Sequence, residues 1–353
     1  MTILVTGAAG FIGSNFVLDW LGSEDENIVS LDNLTYAGNL DNLASLSKDS
    51  RHFFVKGDIG DTEYIFSALK KYKPRAIINF AAETHVDNSI SEPINFIETN
   101  ILGTYKLLEN TLLYWKKLEV KQKNDFRFIH ISTDEVYGAL DKAENPATER
   151  NRYMPNNPYS ASKAASDHLL RAWYQTYNLP VITTNCSNNF GPFQFPEKLI
   201  PLCIFNAINN KPLPLYGDGK QVRDWVYVSD HCDAIRKVLK NGGLGETYNI
   251  GGNSERTNIE VVQMICNLLD DIKPMKNKSS YAKLISFVKD RPGHDQRYAI
   301  DSSKVEKEIS WLPKETFESG LRKTVEWYLN NKDWWKYINN GKYKRQRLGI
   351  IKD

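Results

Sequence analysis

An aspartate and a glutamate stand side by side at Asp134 and Glu135, directly after Thr133 and an apolar run over 128–132. The run predicts a buried strand, so the hydroxyl and the two carboxyl groups would lie where that strand ends. Ligands of open parallel sheets bind beyond the carboxyl ends of the strands. Two acids in different environments can divide the work, one protonated as an acid and the other ionised as a base. The alternative is a loop with two solvated acids, since exposure is the usual fate of charged side chains.

A tyrosine and a lysine lie four residues apart at Tyr159 and Lys163, just after Pro158. The proline and the apolar pattern as far as Tyr174 predict a helix that starts there, with both side chains on one face. A lysine ammonium favours a nearby phenolate and lowers the pKa of the phenol, so Tyr159 is predicted to act as a base toward a hydroxyl group. The spacing also occurs often by chance.

Gly7, Gly10 and Gly13 separate a predicted strand over 2–5 from a helical pattern. Glycines let the backbone turn tightly and approach a pyrophosphate, and the helix N-terminus supplies N–H groups and a positive dipole end. The third glycine is expected to let the helix pack closely on the strand. The spacing differs from the usual G-x-G-x-x-G, but the position between a strand and a helix is the context that a dinucleotide-binding loop requires.

The second predicted strand, 28–31, ends at Asp32, about 20 residues past the glycines, where an acid can bind the ribose 2′-hydroxyl of a dinucleotide. A carboxylate there would repel a 2′-phosphate, which predicts NAD and not NADP. A turn or a helix cap is the alternative role for Asp32.

Two further strands are predicted over 53–59 and 76–82. Asp58, at the end of the first, could meet the adenine or cap the helix that begins near Asp61 or Thr62. The second ends in small residues that suit the close approach of a cofactor.

Composition excludes several classes of protein. The chain has 353 residues, which suggests about two domains, and its net charge of +2 is too small for a nucleic-acid footprint.

No signal peptide and no apolar run of the ~20 residues that span a membrane are apparent. The six histidines show no metal spacing. The four cysteines form neither a disulfide frame nor a zinc site, which predicts a reducing, cytoplasmic location; they are Cys186, Cys203, Cys232 and Cys266.

The motifs together resemble the extended short-chain dehydrogenase/reductase superfamily, and the pair Asp134 and Glu135 narrows the resemblance to its nucleotide-sugar 4,6-dehydratases. Sugar 4-epimerases of the superfamily usually have small, uncharged residues there. Phe190 departs from the pattern, since the family commonly has tyrosine. The resemblance covers nearly the whole chain to about residue 330, and its further matching segments are 80–87, 185–192, 196–202, 215–219, 222–225 and 290–295.

Strand-like runs alternate with helical patterns through the first 190 residues, which indicates an α/β fold with a parallel sheet. The resemblance implies a Rossmann-type doubly wound sheet with a smaller, interleaved C-terminal substrate domain. We predict an NAD-binding domain over 1–190 and 223–252, a nucleotide-sugar-binding domain over 191–222 and 253–330, and a tail over 331–353.

The resemblance also implies the reaction. The enzyme would oxidise C4 of a nucleotide-linked glucose, eliminate water across C5–C6 and return the hydride to C6, with NAD bound throughout. Tyr159, beside Lys163, would take the 4-hydroxyl proton while Thr133 binds the same oxygen. Glu135 would be the base at C5 and Asp134 the acid for the departing hydroxyl, which requires a raised pKa. Adjacent strand residues face opposite ways, so both acids reach one sugar only if the backbone leaves strand geometry there.

Two larger groups of binding residues follow from the motifs. The predicted cofactor-binding residues are Gly7, Gly10, Phe11, Ile12, Gly13, Asp32, Asn33, Thr35, Asp58, Ile59, Ala81, Ala82, Thr84, Thr99, Tyr159, Lys163 and Asn189. The predicted substrate-binding residues are Thr84, His85, Thr133, Asn188, Lys198, Leu199, Leu215, Tyr216, Arg223, Asn258, Arg291 and His294. Arg223 and Arg291 suit a diphosphate, with a surface salt bridge as the alternative, and Tyr216 offers a face for the base. A structural role is the alternative for His85 and His294.

The expected substrate is dTDP-glucose. UDP-glucose stays open as the alternative, because the methyl group that distinguishes thymine from uracil contributes only ~1–3 kcal/mol of binding free energy in an apolar pocket. A nucleotide-sugar epimerase or decarboxylase is less consistent with the two acids, since an epimerase has no leaving group to protonate. A non-enzymatic dinucleotide sensor is disfavoured by the intact set of Thr133, Asp134, Glu135, Tyr159 and Lys163. The 6-deoxysugar pathway, for which rhamnose synthesis is the expectation, and the role of the basic tail stay open.

A homodimer is also predicted, because superfamily members commonly pair two helices of each subunit into a four-helix bundle. One helix would carry an apolar stripe of Ile94, Ile97, Ile101, Tyr105, Leu108 and Leu112. The Tyr159 helix would contribute Leu169, Leu170, Trp173 and Tyr174.

Overall fold

The computed structural model describes the backbone of residues 1–339 and the side chains of residues 1–335. Within this part the strands are β1 (Thr2–Thr6), β2 (Asn27–Asp32), β3 (His52–Lys56), β4 (Ala76–Asn79), β5 (Arg127–Thr133), β6 (Val181–Cys186), β7 (Asn188–Phe190), β8 (Leu213–Tyr216), β9 (Val222–Tyr227), β10 (Thr247–Ile250), β11 (Glu255–Thr257), β12 (Ile285–Val288) and β13 (Arg297–Tyr298).

The helices of the same part connect these strands. They are α1 (Phe11–Ser23), α2 (Thr62–Tyr72), α3 (Val86–Ser91), α4 (Pro93–Phe96), α5 (Thr104–Lys116), α6 (Val120–Asp125), α7 (Pro158–Tyr177), α8 (Leu199–Ile208), α9 (Val228–Asn241), α10 (Asn258–Ile272), α11 (Ser303–Ile309), α12 (Phe317–Asn330) and α13 (Lys332–Asn339). Short 3-10 turns cover Leu40–Leu46, Asp134–Tyr137 and Tyr281–Leu284, and a π-helical segment covers Ile97–Gly103.

A seven-stranded sheet, parallel throughout, forms the centre of the molecule in the order β10-β6-β5-β4-β1-β2-β3. Helices α1, α9 and α11 cover one face, where Phe16 and Trp20 are fully buried, and each such burial stabilises the fold by about 2–3 kcal/mol. Helices α2, α5 and α7 cover the other face. The predicted α/β doubly wound fold is confirmed. The strand order changes direction between β1 and β4, which is where such sheets bind their ligands.

The smaller part of the molecule is built from later pieces of the chain. Strands β7, β9, β11 and β13 pair into one small sheet and β8 with β12 into another, and α8, α10 and α12 share a second core with them. Along the chain, β10 follows β9 and precedes β11, but it pairs at the edge of the large sheet while both of these neighbours belong to the small sheet. Strand β9 lies in the small sheet, whereas the sequence predicts residues 223–227 to belong to the NAD-binding domain. The domain boundaries themselves remain a prediction.

Helix α13 contributes two buried tryptophans to the second core, Trp334 and Trp335. The Trp334 indole donates to Asn42 Oδ1 at 2.7 Å, and the Asn42 amide donates to the Ala9 carbonyl at 2.9 Å. The last described helix therefore contacts both parts of the molecule. The basic run over 342–347 lies outside the described residues.

The prediction that residues 94–112 form one regular helix with a continuous apolar stripe is wrong. Residues 93–116 form α4, the π-helical segment and α5 in succession, and the wider turn of the π-helical segment rotates the residues that follow. Ile94, Ile97 and Tyr105 are exposed, whereas Leu108 and Leu112 are buried in the subunit's own core.

All four cysteines are buried and free. Within residues 1–339, no helix has the length and apolar character that a membrane crossing requires. The same part of the chain holds no group of three or more His, Cys, Asp or Glu side chains able to bind a metal ion.

Candidate active site

The two adjacent acids lie at the end of β5, where the backbone leaves strand geometry as the sequence required. The strand ends at Thr133, and Asp134–Tyr137 forms a 3-10 turn in which the Glu135 N–H donates to Thr133 Oγ1 at 3.3 Å. Gly138 closes the turn at φ +81°, where a Cβ would stand 2.2 Å from the Met154 carbonyl oxygen. This turn brings both carboxyl groups to the wall of one cavity.

Asp134 has the environment of an acid that stays protonated. Its side chain is buried, and its Oδ2 has no hydrogen-bond partner among the described residues. Thr133 Oγ1 donates to Asp134 Oδ1 at 3.3 Å. Burial, followed by the charges of Glu135 and Asp224, raises the pKa of Asp134 well above its ordinary value.

Glu135 is more accessible than its neighbour. Its Oε2 accepts a long hydrogen bond of 3.4 Å from the Asn157 amide. The side chain lines two cavities, the first described above and a second between α8, β8 and the loop of Arg291. Glu135 therefore lies at the junction of the two.

Helix α7 begins as predicted, at Pro158. Asn157 caps it through a reciprocal pair of hydrogen bonds with Ser160. Tyr159 and Lys163 are both buried and both line the first cavity, beside Thr133. The two predicted elements of the catalytic set, from β5 and from α7, therefore meet in one place.

The predicted lowering of the Tyr159 pKa by Lys163 is wrong for this structure. Burial, and next the charge of Glu135, raise the pKa of Tyr159 well above its ordinary value, and a hydrogen bond with Thr133 opposes them. The Lys163 ammonium donates instead to the Ile131 carbonyl at 2.7 Å. Burial and the charge of Glu135 therefore outweigh any lowering of the Tyr159 pKa by the lysine.

The first cavity follows the carboxyl ends of the central strands, and all of the predicted cofactor-binding residues line it. Its glycine loop leaves no room for a Cβ at Gly7 or Gly13. A Cβ on Gly7 would stand 2.7 Å from the Ala81 nitrogen, and one on Gly13 would stand 2.2 Å from the Gly7 carbonyl oxygen. The third glycine thus packs against the loop itself. Such a bare backbone at a helix N-terminus is what a pyrophosphate needs.

Asp32, at the end of β2, lines this cavity. Its carboxyl group accepts from the Ala9 N–H at 2.8 Å and from the Leu34 N–H at 2.7 Å. Burial raises its pKa, and these two hydrogen bonds lower it. Both oxygens lie in fixed positions at the end of β2.

Asp58 does not cap a helix, because Asp61 is the N-cap of α2 and accepts from the Tyr64 N–H. The Asp58 carboxyl accepts from the Gly60 N–H at 2.6 Å and from the Asn33 amide at 2.7 Å. Asp58 lines the first cavity. Of its two predicted roles, helix cap and contact with the adenine, only the contact with the adenine remains as a prediction.

The second cavity is lined by the predicted substrate-binding residues except Thr84 and Thr133, which line the first. Arg223 is buried, donates to the Asp295 carbonyl at 2.9 Å and lies 4.4 Å over the Tyr298 ring. It therefore makes no surface salt bridge.

Arg291 forms an ion pair with Asp87 at 3.2 Å, and the Tyr216 hydroxyl donates to the same carboxylate. Asp87 was not predicted as a site residue, although it lies in the matching segment 80–87. Its carboxylate fixes an arginine and an aromatic ring at the wall of the second cavity.

Both candidate histidines have structural partners and also line the second cavity. His85 Nδ1 accepts from the Asn88 N–H at 3.3 Å, and His294 Nδ1 lies 2.6 Å from Asp290 Oδ1. Burial lowers the pKa of each histidine to about 4, so both are neutral at pH 7.

The two cavities share the residues Glu135, Asn188, Asn189, Gln194, Glu197 and Lys198. Glu197 was not among the predicted residues, although it lies in the matching segment 196–202 beside Lys198. Its side chain is 2% exposed, its Oε2 lies 3.7 Å from His85 Nε2, and burial raises its pKa to about 7. The sequence did offer one signal for Glu197, since it lies between Pro196 and Lys198 within a segment that matches the family.

Comparison with known proteins agrees with this geometry. The family model described as GDP-mannose 4,6 dehydratase matches residues 4–324. A dTDP-glucose 4,6-dehydratase of Xanthomonas campestris pv. campestris is 58% identical over 348 residues, which are 99% of each chain.

Solved structures give the same assignment. The dTDP-glucose 4,6-dehydratase of Bacillus anthracis, in complex with NAD, is 48% identical with a TM-score of 0.84 and covers 96% of this chain and 99% of its own. The enzyme of that name from Streptomyces venezuelae, with NAD and TYD bound, is 43% identical with a TM-score of 0.87 and covers 96% and 100%. The chain therefore belongs to the dTDP-glucose 4,6-dehydratases, which are NAD-dependent lyases of the nucleotide-sugar 4,6-dehydratase family.

Proposed function

We propose that this enzyme converts dTDP-glucose into dTDP-4-keto-6-deoxyglucose and water. The observation that carries the proposal is the position of Asp134 and Glu135, one buried and one accessible, at the junction of a dinucleotide-type cavity with a second cavity. UDP-glucose is the alternative substrate. The sugar would lie at the junction and its nucleoside diphosphate along the second cavity, near Arg223 and Arg291.

The first cavity suits NAD. The glycine loop would hold the pyrophosphate, and Asp32 would hold the adenosine ribose and disfavour a 2′-phosphate. Bound NAD supplies the acceptor and donor of the hydride, together with a positive charge that favours the phenolate form of a nearby tyrosine.

We expect Gly13→Ala to weaken NAD binding. The added Cβ would stand 2.2 Å from the Gly7 carbonyl oxygen, and overpacking of this kind costs about 1–3 kcal/mol, or roughly 5- to 150-fold in affinity. NAD content per chain and NAD titration by calorimetry measure the effect. Gly22→Ala on the same helix is the control, because its Cβ meets nothing within 4 Å. Equal NAD affinity in the two variants would contradict the assignment of the loop.

Oxidation begins with the 4-hydroxyl of the glucose. Tyr159 takes its proton, and Thr133, which hydrogen-bonds Tyr159, holds the oxygen in position. Because the phenol is buried among acidic groups, its proton affinity is high, so the phenolate form depends on the cationic ring of the cofactor and on Lys163.

Elimination then uses the two acids. The 4-keto group acidifies the C5 hydrogen, and Glu135 removes it as a proton. Hydroxide is a poor leaving group, so the C6 oxygen leaves as water with the proton of Asp134, whose raised pKa keeps that proton available near neutral pH. Glu135 returns its proton to C5 when the hydride reaches C6.

The proton balance of a full cycle leaves the site changed. Tyr159 has gained the 4-hydroxyl proton, Asp134 has lost one to water, and Glu135 is unchanged. The next cycle therefore needs a proton to move from Tyr159 to Asp134. The Thr133 hydroxyl hydrogen-bonds both, at 3.3 Å from Asp134 Oδ1, and provides a short route.

The function is tested by incubating the purified enzyme with dTDP-glucose and, separately, with UDP-glucose, and identifying the products by NMR. A 4-keto-6-deoxy product with a higher kcat/KM for dTDP-glucose supports the proposal. A C4 epimer indicates an epimerase, and turnover of UDP-glucose alone would move the assignment to the alternative substrate. Release of NADH in step with product would contradict a cofactor that stays bound.

The enzyme is expected to be a homodimer in solution. Leu102, Tyr105, Leu113 and Tyr177 are exposed apolar or aromatic side chains on the π-helical segment, α5 and α7, and the ring of Tyr105 lies 5.9 Å from that of Trp173. Light scattering should give twice the mass of one chain, and Tyr105→Glu should shift it toward the monomer. Phe287→Glu, at another exposed aromatic residue, is the control. A monomeric mass for the unmodified enzyme would refute the dimer.

The cellular setting is also part of the proposal. Four buried free thiols are typical of a reducing compartment, which supports a cytoplasmic location. The 4-keto-6-deoxy product is a precursor for 6-deoxysugars, and rhamnose synthesis is the expected use.

A further inference from the structure

A buried carboxyl group on helix α7 has no part in the mechanism above. Asp167 is one turn after Lys163 on α7, is 6% exposed, and lines neither cavity. Its Oδ2 accepts from Ser132 Oγ at 2.8 Å, which joins α7 to the end of β5. Its Oδ1 has no hydrogen-bond partner of ordinary distance and angle among the described residues, although the Tyr153 hydroxyl is close enough to the carboxyl group to lower its pKa.

The His130 ring stands between Asp167 and Lys163. Its Nε2 is 3.3 Å from Lys163 Nζ and 3.6 Å from Asp167 Oδ1. The ring is fully buried, and burial and the Lys163 charge hold its pKa well below the ordinary value. The imidazole is therefore neutral, so the charges in this row belong to the lysine and the aspartate.

A buried ammonium needs a counter-charge, because its desolvation is costly. Burial lowers the pKa of Lys163 to about 8, and Asp167 is the main group that opposes this. The other titratable groups facing the pair are His130 on β5, Cys186 on β6, Tyr153 before α7 and Tyr137 in the 3-10 turn. Burial raises the pKa of the Cys186 thiol and of both phenols. None of these other groups carries a negative charge near neutral pH.

We propose that Asp167 is the buried counter-ion of Lys163, acting across His130, and so a positioning residue for the oxidation of the sugar. The counter-ion role stands on the geometry of the three side chains. Its consequence for oxidation rests on the proposed function, in which the Lys163 ammonium supports the Tyr159 phenolate.

Asp167→Asn removes the charge but keeps the size of the side chain and an oxygen that accepts from Ser132. Loss of an opposite charge disfavours the ammonium, so the pKa of Lys163 falls, by about one to three units as is usual when a nearby opposite charge is removed. Lys163 then loses its proton at a lower pH than in the unmodified enzyme. The alkaline limb of the pH profile for oxidation should move to lower pH by a similar amount.

The pKa of Lys163 is measured by NMR of enzyme with [¹³Cε]lysine, without substrate, and Lys163→Met assigns the signal. The titration midpoint should fall in Asp167→Asn and return toward the original value in Asp167→Glu, which restores the carboxylate. Asp230→Asn is the matched control, because Asp230 is also buried but binds the backbone N–H groups of Lys314 and Glu315. An unchanged midpoint in Asp167→Asn, or an equal fall in Asp230→Asn, would overturn the proposal.

The unmodified enzyme provides a second test that needs no variant of Asp167. If the two groups are coupled, the Lys163 signal should show an inflection where Asp167 ionises, near pH 7, besides its own. A single inflection at the ordinary lysine pKa would overturn the counter-ion role even if Asp167→Asn fails to fold. Failure of the proposed function is a separate result: it would appear as no 4-keto-6-deoxy product from the unmodified enzyme, and would leave the titrations unaffected.

Discussion

Glu135→Gln should still oxidise C4 but dehydrate ~10²–10⁴-fold more slowly, the usual effect of losing a general base. Glutamine keeps the size of the side chain and an oxygen that accepts from the Asn157 amide, but it cannot take the C5 proton. Tyr159, Lys163 and Thr133 remain, so the bound cofactor should still be reduced in a single turnover, as followed by its absorbance. Exchange of the C5 hydrogen with solvent should disappear.

Glu149→Gln is the control for this experiment. Glu149 is a partly buried glutamate outside both cavities that accepts from the Asn249 N–H at 2.8 Å, so its substitution should leave C5 exchange intact. A near-normal dehydration rate in Glu135→Gln would show that another group removes the C5 proton. Loss of cofactor reduction would show that Glu135 is needed before elimination.

Tyr159→Phe should have the opposite pattern. Removal of the hydroxyl takes away the group that accepts the 4-hydroxyl proton, so reduction of the bound cofactor should slow by ~10²–10⁴-fold. Dehydration falls with it, because the C5 hydrogen is acidic only after C4 is oxidised. Rapid-mixing absorbance measurements separate the two steps.

Tyr114→Phe is the matched control. Tyr114 and Tyr159 are both 8% exposed, but the Tyr114 hydroxyl donates to the Pro74 carbonyl at 3.0 Å, away from both cavities. Its loss should affect stability by about 1 kcal/mol and leave cofactor reduction unchanged. If Tyr159→Phe reduces its cofactor at the normal rate, the proton of the 4-hydroxyl goes elsewhere.

The cofactor cavity was predictable because its residues lie in short, contiguous motifs. A glycine loop between β1 and α1 and an acid at the end of β2 define a local structure whose geometry the sheet order then fixes. The start of α7 at Pro158 was predictable for the same reason, since a proline at the first helical position acts within one turn.

Properties that depend on packing between distant segments were not predictable. The raised pKa of Tyr159 comes from burial by several elements and from Glu135, which spacing along one helix does not contain. The stripe over 94–112 failed because the π-helical segment changes the number of residues per turn. Glu197 was missed because its burial beside His85 joins two segments far apart in the chain.

The 3-10 turn at Asp134–Tyr137 was only partly predictable from the sequence. The sequence required that the backbone leave strand geometry so that both acids could reach one sugar, and in the structure the turn ends at Gly138 with φ +81°. Which of the two acids is buried could not be predicted, because it depends on how the rest of the fold packs around the turn. Asp134 is enclosed with Asp224 nearby, and Glu135 reaches the junction of the cavities.

The transfer of one hydrogen within the same sugar tests the central claim most directly. The enzyme should convert dTDP-[4-²H]glucose into a 4-keto-6-deoxy product that carries the deuterium at C6, as read by NMR of the product. Transfer to C6 requires that one cofactor oxidises C4, remains in the first cavity and reduces C6 after Asp134 and Glu135 have removed water. Deuterium lost to solvent from that product, or retained at C4 of an epimer, would contradict this account.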